Sequence, residues 1–244
     1  MIDVLILPGT GHGRNADGIS RAFADSLDPA RFAPRIVQYP AEYGNPRPYA
    51  ESRIIGRWAL LDHIVGYRPF VLAGYSQGAG IAGDLAVEIV QHMPGVMADH
   101  LVGCALIADP YRPMLAGTPH RPPASGYGIA GQRPVPGPAW WAAADGDPIT
   151  ALPAGNPLRS VADLSEWWSL AGPAEVARWG EDIVEKCRTG TLQRWWSPAN
   201  WRSWAGAMAF ARGYLWDGRH TTDYLTHGHV QALADTVNRE VGRG

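Results

Sequence analysis

Positive charge is scarce in this 244-residue chain, which has 21 basic residues against 23 acidic ones and a formal net charge of −2. Without a basic surplus, the composition gives no basis for binding nucleic acid. Cysteine is scarce too. Cys104 and Cys187 lie far apart and outside any CxxC motif, so we expect two reduced structural thiols in preference to one bridge. The cysteines form neither a disulfide framework nor a metal site.

Long hydrophobic runs are also missing. No stretch approaches eighteen consecutive apolar residues, so we expect no transmembrane helix. The first apolar run begins almost directly after Met1, which leaves no room for a secretory leader. We therefore expect a protein made without a signal peptide. Its 46% hydrophobic and 18% charged residues are typical of a soluble globular protein with a large core.

Short apolar runs alternate with amphipathic stretches over the first 144 residues. Strands are predicted at 2–7, 32–39, just before Ser76, at 101–108 and at 138–144; helices are predicted at 16–27, 49–65, 77–93 and 230–241. The helix at 49–65 is expected to bury a stripe of Ile54, Trp58, Leu61 and Val65. Residues 109–138 are rich in Pro and Gly and predict a long surface segment. This order predicts an α/β fold with a doubly wound, mostly parallel sheet.

The alternation breaks at residues 150–213, which we interpret as a Trp-rich helical insertion into a domain formed by 1–149 and 214–244. Helices are expected near 160–170, 173–188 and 190–213. Seven of the eleven tryptophans fall here: Trp167, Trp168, Trp179, Trp195, Trp196, Trp201 and Trp204. They could fill the core of a small subdomain or contact a lipid surface. Adjacent pairs cannot both face inward, so some should be exposed.

The stretch from Gly74 to Gly78 fits G-x-S-x-G, the nucleophile elbow of α/β-hydrolases. The pattern alone is weak, but a buried strand precedes it and an amphipathic helix follows it, as the elbow requires. Ser76 is therefore the candidate nucleophile. The glycine-rich loop 8–13 follows the first strand and is a candidate second half of an oxyanion hole. Its spacing does not match a phosphate-binding loop.

A serine nucleophile needs a histidine base and an acid that orients it, and in this fold they follow the serine in the order acid, then histidine. Asp147 is preferred over Asp145 as the acid, because Gly146 and Pro148 shape a turn there. His220 is preferred as the base because it lies in a loop before the last helix. The alternative bases are His227 and, after it, His229. No HExxH motif is present, and no metal ion or cofactor is expected.

Several of these features together resemble lysin B, an esterase family of phages that infect mycolate-bearing Actinobacteria and a relative of the cutinases. The matching positions are Gly9-Thr10-Gly11, Tyr39-Pro40-Ala41, Gly74 to Ala79, Asp109-Pro110 with Arg112, Gly146-Asp147, and His220 with Tyr224. The resemblance covers most of the chain outside 150–215, where that family also carries a helical linker. Cutinases have a cysteine three residues after the acid, whereas this chain has Thr150.

The resemblance implies a cutinase-like α/β-hydrolase, a three-layer sandwich, that hydrolyses the ester joining mycolic acids to arabinogalactan. It also implies that Thr10 and Gln77 supply the oxyanion hole, and that the protein, made in the host cytoplasm, reaches the outer envelope after host lysis. Two other functions remain open from the sequence. One is a general cutinase-like lipase or polyesterase, and the other is a catalytically silent protein that binds lipid or cell wall.

Overall fold

The computed structural model describes residues 1–13, 15–43, 46–64, 66, 68–93, 95–156, 159 and 218–242. The strands are β1 (Ile2–Leu7), β2 (Phe32–Ile36), β3 (Phe70–Tyr75), β4 (Leu101–Ile107) and β5 (Ala139–Ala142). The helices are α1 (Gly18–Asp25), α2 (Tyr49–His63), α3 (Gln77–His92), α4 (Val96–His100), α5 (Thr222–Thr226) and α6 (His229–Glu240).

The five strands form one sheet in the order β2-β1-β3-β4-β5, and every neighbouring pair is parallel. Parallel strands need long crossover connections, and the helices between β1 and β4 supply them. The carboxyl ends of all five strands therefore meet at one edge of the sheet. This arrangement confirms the predicted α/β-hydrolase fold, a parallel sheet flanked by helices.

Each face of the sheet carries its own hydrophobic core, because successive side chains of a strand point to opposite faces. On β1, Val4 and Ile6 face the core that α1 and α6 cover. Leu5 and Leu7 face the core that α2 and α3 cover. All four side chains are fully buried, which explains why the central strands are almost continuously apolar.

Helix α2 buries only part of the predicted stripe. Leu61 is partly buried against the core, whereas Ile54 and Trp58 are 51% and 56% exposed. Gly56 and Leu60 are buried instead.

A Cβ on Gly56 would lie 2.9 Å from the Tyr39 ring and from Ile81 Cδ1 of α3, so the absence of a side chain lets α2 pack closely against these two residues. The prediction was wrong for Ile54 and Trp58 because the buried face of α2 is formed mostly by small residues, which an apolar repeat in the sequence does not mark.

The segment 109–138, predicted as a long surface segment, contains no α-helix or extended strand. It is nevertheless firmly attached to the rest of the fold. It folds around Arg112, a fully buried residue whose guanidinium donates hydrogen bonds to backbone carbonyl oxygens. Its acceptors are Pro113, Ala116, Ala124, Ser125, Gly126 and Thr150. Because a planar guanidinium offers five donors in fixed directions, one side chain holds several turns of this segment in place.

Most other boundaries agree with the predictions to within a few residues; β2, however, ends at Ile36 and not at residue 39. The insertion at 150–213 lies almost wholly outside the described residues, as do its three predicted helices and its tryptophans. Cys187 and Val65 also lie outside them. Within the described part of the chain, no helix is long and apolar enough to cross a membrane.

Candidate active site

Ser76 occupies a sharp turn between β3 and α3, at φ 54° and ψ −116°. Few residues other than glycine adopt such a backbone, and strain of this kind concentrates at functional sites. A Cβ on Gly74 would lie 2.3 Å from the Gly78 carbonyl carbon, and one on Gly78 would lie 2.2 Å from the Leu7 carbonyl oxygen. The two glycines of the motif therefore permit the crossing of chain segments that presents the serine.

The structure brings the three predicted residues Ser76, His220 and Asp147 into one hydrogen-bonded chain. His220 Nε2 lies 2.9 Å from Ser76 Oγ. His220 Nδ1 lies 3.0 Å from Asp147 Oδ2 and 3.1 Å from Oδ1. Asp147 is fully buried and His220 is nearly so, whereas Ser76 remains partly accessible. The arrangement can transfer a proton from the serine to the imidazole while the carboxylate holds the ring.

The turn after β5 separates the roles of the two candidate acids. Gly146 has φ 76°, and this left-handed residue turns Asp147 inward. Asp147 Oδ1 also accepts the backbone N–H of Ile149 at 2.9 Å. Asp145 is exposed and accepts the backbone N–H of Ser125 instead. Asp147 is therefore the carboxylate that meets the imidazole, while Asp145 anchors a neighbouring loop.

The alternative histidines lie between α5 and the start of α6, where His227 is exposed and His229 is partly buried. His227 follows the last residue of α5 with 63% of its side chain exposed, and its Nδ1 lies 3.9 Å from Asp223. His229 is the first residue of α6, where burial, and then the charge of Arg121, lower its imidazole pKa. In the structure His220 is the histidine that contacts Ser76.

Thr10 and Gln77, the two residues expected to supply the oxyanion hole, are hydrogen-bonded to each other through their side chains. The Thr10 hydroxyl donates to Gln77 Oε1 at 3.1 Å, and the Gln77 side-chain amide donates to the Glu42 carbonyl oxygen at 3.3 Å. Gln77 is also the first residue of α3, so its backbone N–H has no partner within the helix. A helix N-terminus with a free N–H favours negative charge, as an oxyanion would supply.

The loop that carries Thr10 is fixed on both sides. The Tyr39 hydroxyl donates to the Pro8 carbonyl oxygen at 2.8 Å, and the Gly9 N–H donates to Asp17 at 3.0 Å. Asp17 also caps α1 by accepting the Ser20 N–H at 2.7 Å. The glycine-rich loop is thus held by buried contacts, which preorganises the backbone next to Ser76.

An ion cluster holds the first turns of α3. Arg133 donates to the Gly80 carbonyl oxygen at 2.7 Å and to the carboxylates of Asp84 and Asp109 at 2.8 and 2.7 Å. A Cβ on Gly83 would lie 2.0 Å from this guanidinium, so the glycine makes room for it. The cluster ties α3, the helix that follows Ser76, to the loop that follows β4.

Two tyrosines beside His220 have contacts that the sequence patterns did not reveal. The Tyr75 hydroxyl donates to the His220 backbone carbonyl oxygen at 2.6 Å, and the two rings stack with centroids 5.3 Å apart. The Tyr224 hydroxyl donates to Asp147 Oδ2 at 2.6 Å. Burial, then the charge of Asp147, raise the Tyr224 pKa well above its ordinary value. The sequence patterns included both tyrosines as positions of motifs but predicted no contact for either side chain.

Within the described ranges, no three His, Cys, Asp or Glu side chains are grouped so that they could hold a metal ion. Cys104 is free and buried in β4, and burial raises its thiol pKa to about 12. A thiol this basic is a poor nucleophile at neutral pH. The chemistry that the described residues offer is therefore that of Ser76 and its partners.

No protein-family model matches the sequence, and no curated protein matches it. Among solved structures, the chain is similar to the catalytic core domain of acetyl xylan esterase from Trichoderma reesei, with 21% identity over 65% of this chain and 90% of that one and a TM-score of 0.47. It is also similar to a cutinase-like protein from Cryptococcus sp., with 16% identity over 76% and 94% of the two chains and a TM-score of 0.42. The strand order and the elbow establish the fold; these distant likenesses add nothing to it.

Proposed function

We propose that this protein is a serine esterase that hydrolyses the ester between mycolic acids and arabinogalactan. The observation that carries the serine-esterase part is the hydrogen-bonded chain from Ser76 through His220 to buried Asp147. A serine hydroxyl is a weak nucleophile unless a base within hydrogen-bond reach takes its proton. The distances and the burial of the acid meet that requirement.

In the proposed first step, Ser76 Oγ attacks the ester carbonyl carbon as its proton passes to His220 Nε2. Asp147 stabilises the imidazolium that forms. The negative charge on the former carbonyl oxygen is held by the backbone N–H groups of Thr10 and Gln77, each worth on the order of 3 kcal/mol in the transition state. The imidazolium then protonates the departing alcohol oxygen, which leaves an acyl-serine.

In the second step the roles repeat with water. His220 takes a proton from a water molecule, whose oxygen attacks the acyl-serine carbonyl carbon, and then returns the proton to Ser76 Oγ. The carboxylic acid leaves and the serine hydroxyl is restored. No metal ion or redox cofactor takes part in this sequence of bonds formed and broken.

The mycolyl ester as substrate is motivated by the resemblance to lysin B, with access to the outer envelope after lysis of the host cell. The exposed aromatic surface that we expect from the Trp-rich insertion would suit a waxy acyl layer. The experiments below must distinguish this function from the two alternatives, a general lipase or polyesterase and a catalytically silent binding protein.

The first experiment tests the nucleophile and its base. We expect a fluorophosphonate probe to label the wild type and not Ser76→Ala. For p-nitrophenyl butyrate hydrolysis, we expect His220→Ala to lower kcat by roughly 10⁴-fold or more, because the serine loses its base. His227→Ala is the matched control and should stay within about twofold, since surface substitutions away from a site have small effects.

Either of two results would contradict the proposed chemistry. Folded wild-type protein that the probe does not label at Ser76 would point to a silent binding protein. Full activity in His220→Ala combined with loss in His227→Ala would assign the base to His227 instead.

The second experiment tests the substrate. Purified mycobacterial cell-wall core is incubated with the wild type or with Ser76→Ala, and released mycolic acids are extracted and measured by mass spectrometry. We expect release by the wild type alone. If p-nitrophenyl esters are hydrolysed but no mycolic acid is released, the protein is a lipase or polyesterase of another substrate class.

A further inference from the structure

Tyr224 takes no part in the proposed proton transfers, yet its hydroxyl contacts the carboxylate that supports them. The tyrosine is fully buried on α5, and its hydroxyl lies 2.6 Å from Asp147 Oδ2. The hydroxyl oxygen of Tyr224 also accepts the Ala144 N–H at 3.2 Å, and this second hydrogen bond fixes the direction of the hydroxyl. The phenol is therefore held in place from the strand side and donates its proton to the acid.

Asp147 receives donors from three directions. They are His220 Nδ1, the Ile149 N–H at Oδ1 and the Tyr224 hydroxyl at Oδ2. His220 is the proposed base, and the Ile149 N–H lies in the same turn as Asp147. The third comes from α5, which begins two residues after His220, so one short segment supplies both the imidazole and a phenol to the same carboxylate.

We propose that Tyr224 is a positioning residue that fixes the orientation of the Asp147 carboxylate and reduces the negative charge it presents to His220. The effect of Tyr224 on catalysis rests on the proposed function, but its effect on the interaction between Asp147 and His220 can be measured without substrate turnover. Tyr224 does not touch the reacting atoms and acts only through Asp147.

The physical reason is that a short hydrogen bond withdraws part of the negative charge of an ionised acceptor, here the Asp147 carboxylate. A donor at Oδ2 stabilises the carboxylate and lowers its attraction for a protonated imidazole. Because burial and the Asp147 charge raise the Tyr224 pKa, the phenol stays protonated and remains a donor over the neutral range. Without it, the carboxylate could rotate and would stabilise the imidazolium more strongly.

Tyr75 provides a matched control. Its hydroxyl also makes a 2.6 Å hydrogen bond beside His220, but the acceptor is the backbone carbonyl oxygen, which carries no net charge. Both Tyr→Phe changes remove one buried hydroxyl and keep the ring. The charged groups that interact with Asp147 or border its loop, Arg112, Asp145 and Arg219, are the same in both variants.

The experiment is an NMR titration of ¹⁵N-labelled imidazoles in wild type, Tyr224→Phe and Tyr75→Phe, with His220 assigned through His220→Gln. We expect the His220 titration midpoint to rise by roughly half a pH unit in Tyr224→Phe, because the carboxylate has lost one charge-withdrawing donor. In Tyr75→Phe the midpoint should stay in place. An unmoved midpoint in Tyr224→Phe, or an equal movement in both variants, would overturn the inference.

The kinetic readout separates positioning from general loosening. With p-nitrophenyl butyrate, we expect Tyr224→Phe to lower kcat roughly tenfold with KM within about twofold, because a carboxylate that is free to rotate no longer holds the imidazole in line with Ser76, and this loss outweighs the gain in basicity of the ring. The acidic limb of the kcat/KM profile should move to higher pH, because the ring is more basic. A lower kcat with an unmoved limb would indicate a merely structural role. If the NMR midpoint moves but the wild type hydrolyses no ester, the proposed function fails and the inference about Tyr224 stands.

A second variant covers the case in which Tyr224→Phe does not fold. Incorporation of 3-fluorotyrosine at position 224 keeps the ring and the hydroxyl and makes the phenol a stronger donor. The His220 midpoint should then move in the opposite direction, to lower pH. A midpoint equal to that of the wild type would contradict the inference.

Discussion

At the scale of single residues, Gly74 shows how a position without a functional group can determine whether the turn that presents Ser76 forms. An alanine there would place its Cβ 2.3 Å from the Gly78 backbone, which cannot move aside as a side chain could. We expect Gly74→Ala to lower the free energy of unfolding by about 3 kcal/mol. Gly18→Ala in α1 has open space around its Cβ and should be neutral or slightly stabilising.

Urea unfolding monitored by circular dichroism gives both values. If Gly74→Ala unfolded with the stability of the wild type, the crossing of β3 and α3 would have to be wider than the structure shows.

The residues of the candidate site differ in how far the sequence could predict them. Ser76, Asp147 and His220 were predicted because each follows a strand or precedes a helix in the order that the hydrolase fold requires. The contacts of Tyr75 and Tyr224 were not predicted, because no rule of chain order in this fold assigns a partner to either hydroxyl. Their acceptors, His220 and Asp147, become apparent only in the folded geometry.

At the scale of elements, α2 gives a test of which face the helix buries. Leu60 is fully buried and Ile54 is half-exposed on the other side of the same helix. We expect Leu60→Ala to cost 2–5 kcal/mol of unfolding free energy, a range typical of buried leucines, as an order of magnitude. Ile54→Ser should cost no more than about 0.5 kcal/mol, as surface substitutions usually do.

Chemical denaturation of the two single variants measures the difference directly. Equal losses would mean that Ile54 is covered in solution.

Helices α2 and α3 also show why one apolar repeat predicted burial correctly and the other did not. In α3, Ile81, Leu85 and Ile89 repeat every four residues and all are buried. The repeat at Ile54 and Trp58 has the same spacing, but α2 packs through Gly56, where a Cβ would lie 2.9 Å from both Tyr39 and Ile81 of α3. Periodicity identifies the helix, whereas steric fit with its neighbours selects its buried face.

At the scale of the whole molecule, the order of strands and helices was predictable because nearly continuous apolar runs mark a parallel sheet covered on both faces. The way in which segment 109–138 attaches was not predictable. It depends on Arg112, and a charged residue in a Pro- and Gly-rich stretch gives no sign that it will be fully buried. The sequence therefore predicts the layers of the sandwich better than it predicts the loops that close it.

Alkaline pH offers a test of the core as a whole. Burial raises the Cys104 pKa to about 12 and, as the largest cause, raises the pKa values of Tyr39 and Tyr224 well above 10.0. In the unfolded chain these groups lose their protons near pH 9 to 10, whereas the folded protein keeps them. The unfolded state then binds fewer protons than the folded state. The free energy of unfolding is therefore unaffected by these groups below about pH 9 and falls as the pH rises above it.

Each such group adds a slope of up to about 1.4 kcal/mol per pH unit over the range in which its unfolded form has lost the proton and its folded form has kept it. Urea unfolding between pH 7 and 11 should show this decline. Cys104→Ala isolates the thiol, because its unfolded form titrates before tyrosine does. We expect that variant to lose most of the decline between pH 9 and 10 and to keep the steeper one above it. An unchanged profile in Cys104→Ala would mean that the thiol ionises as readily in the folded core as in water.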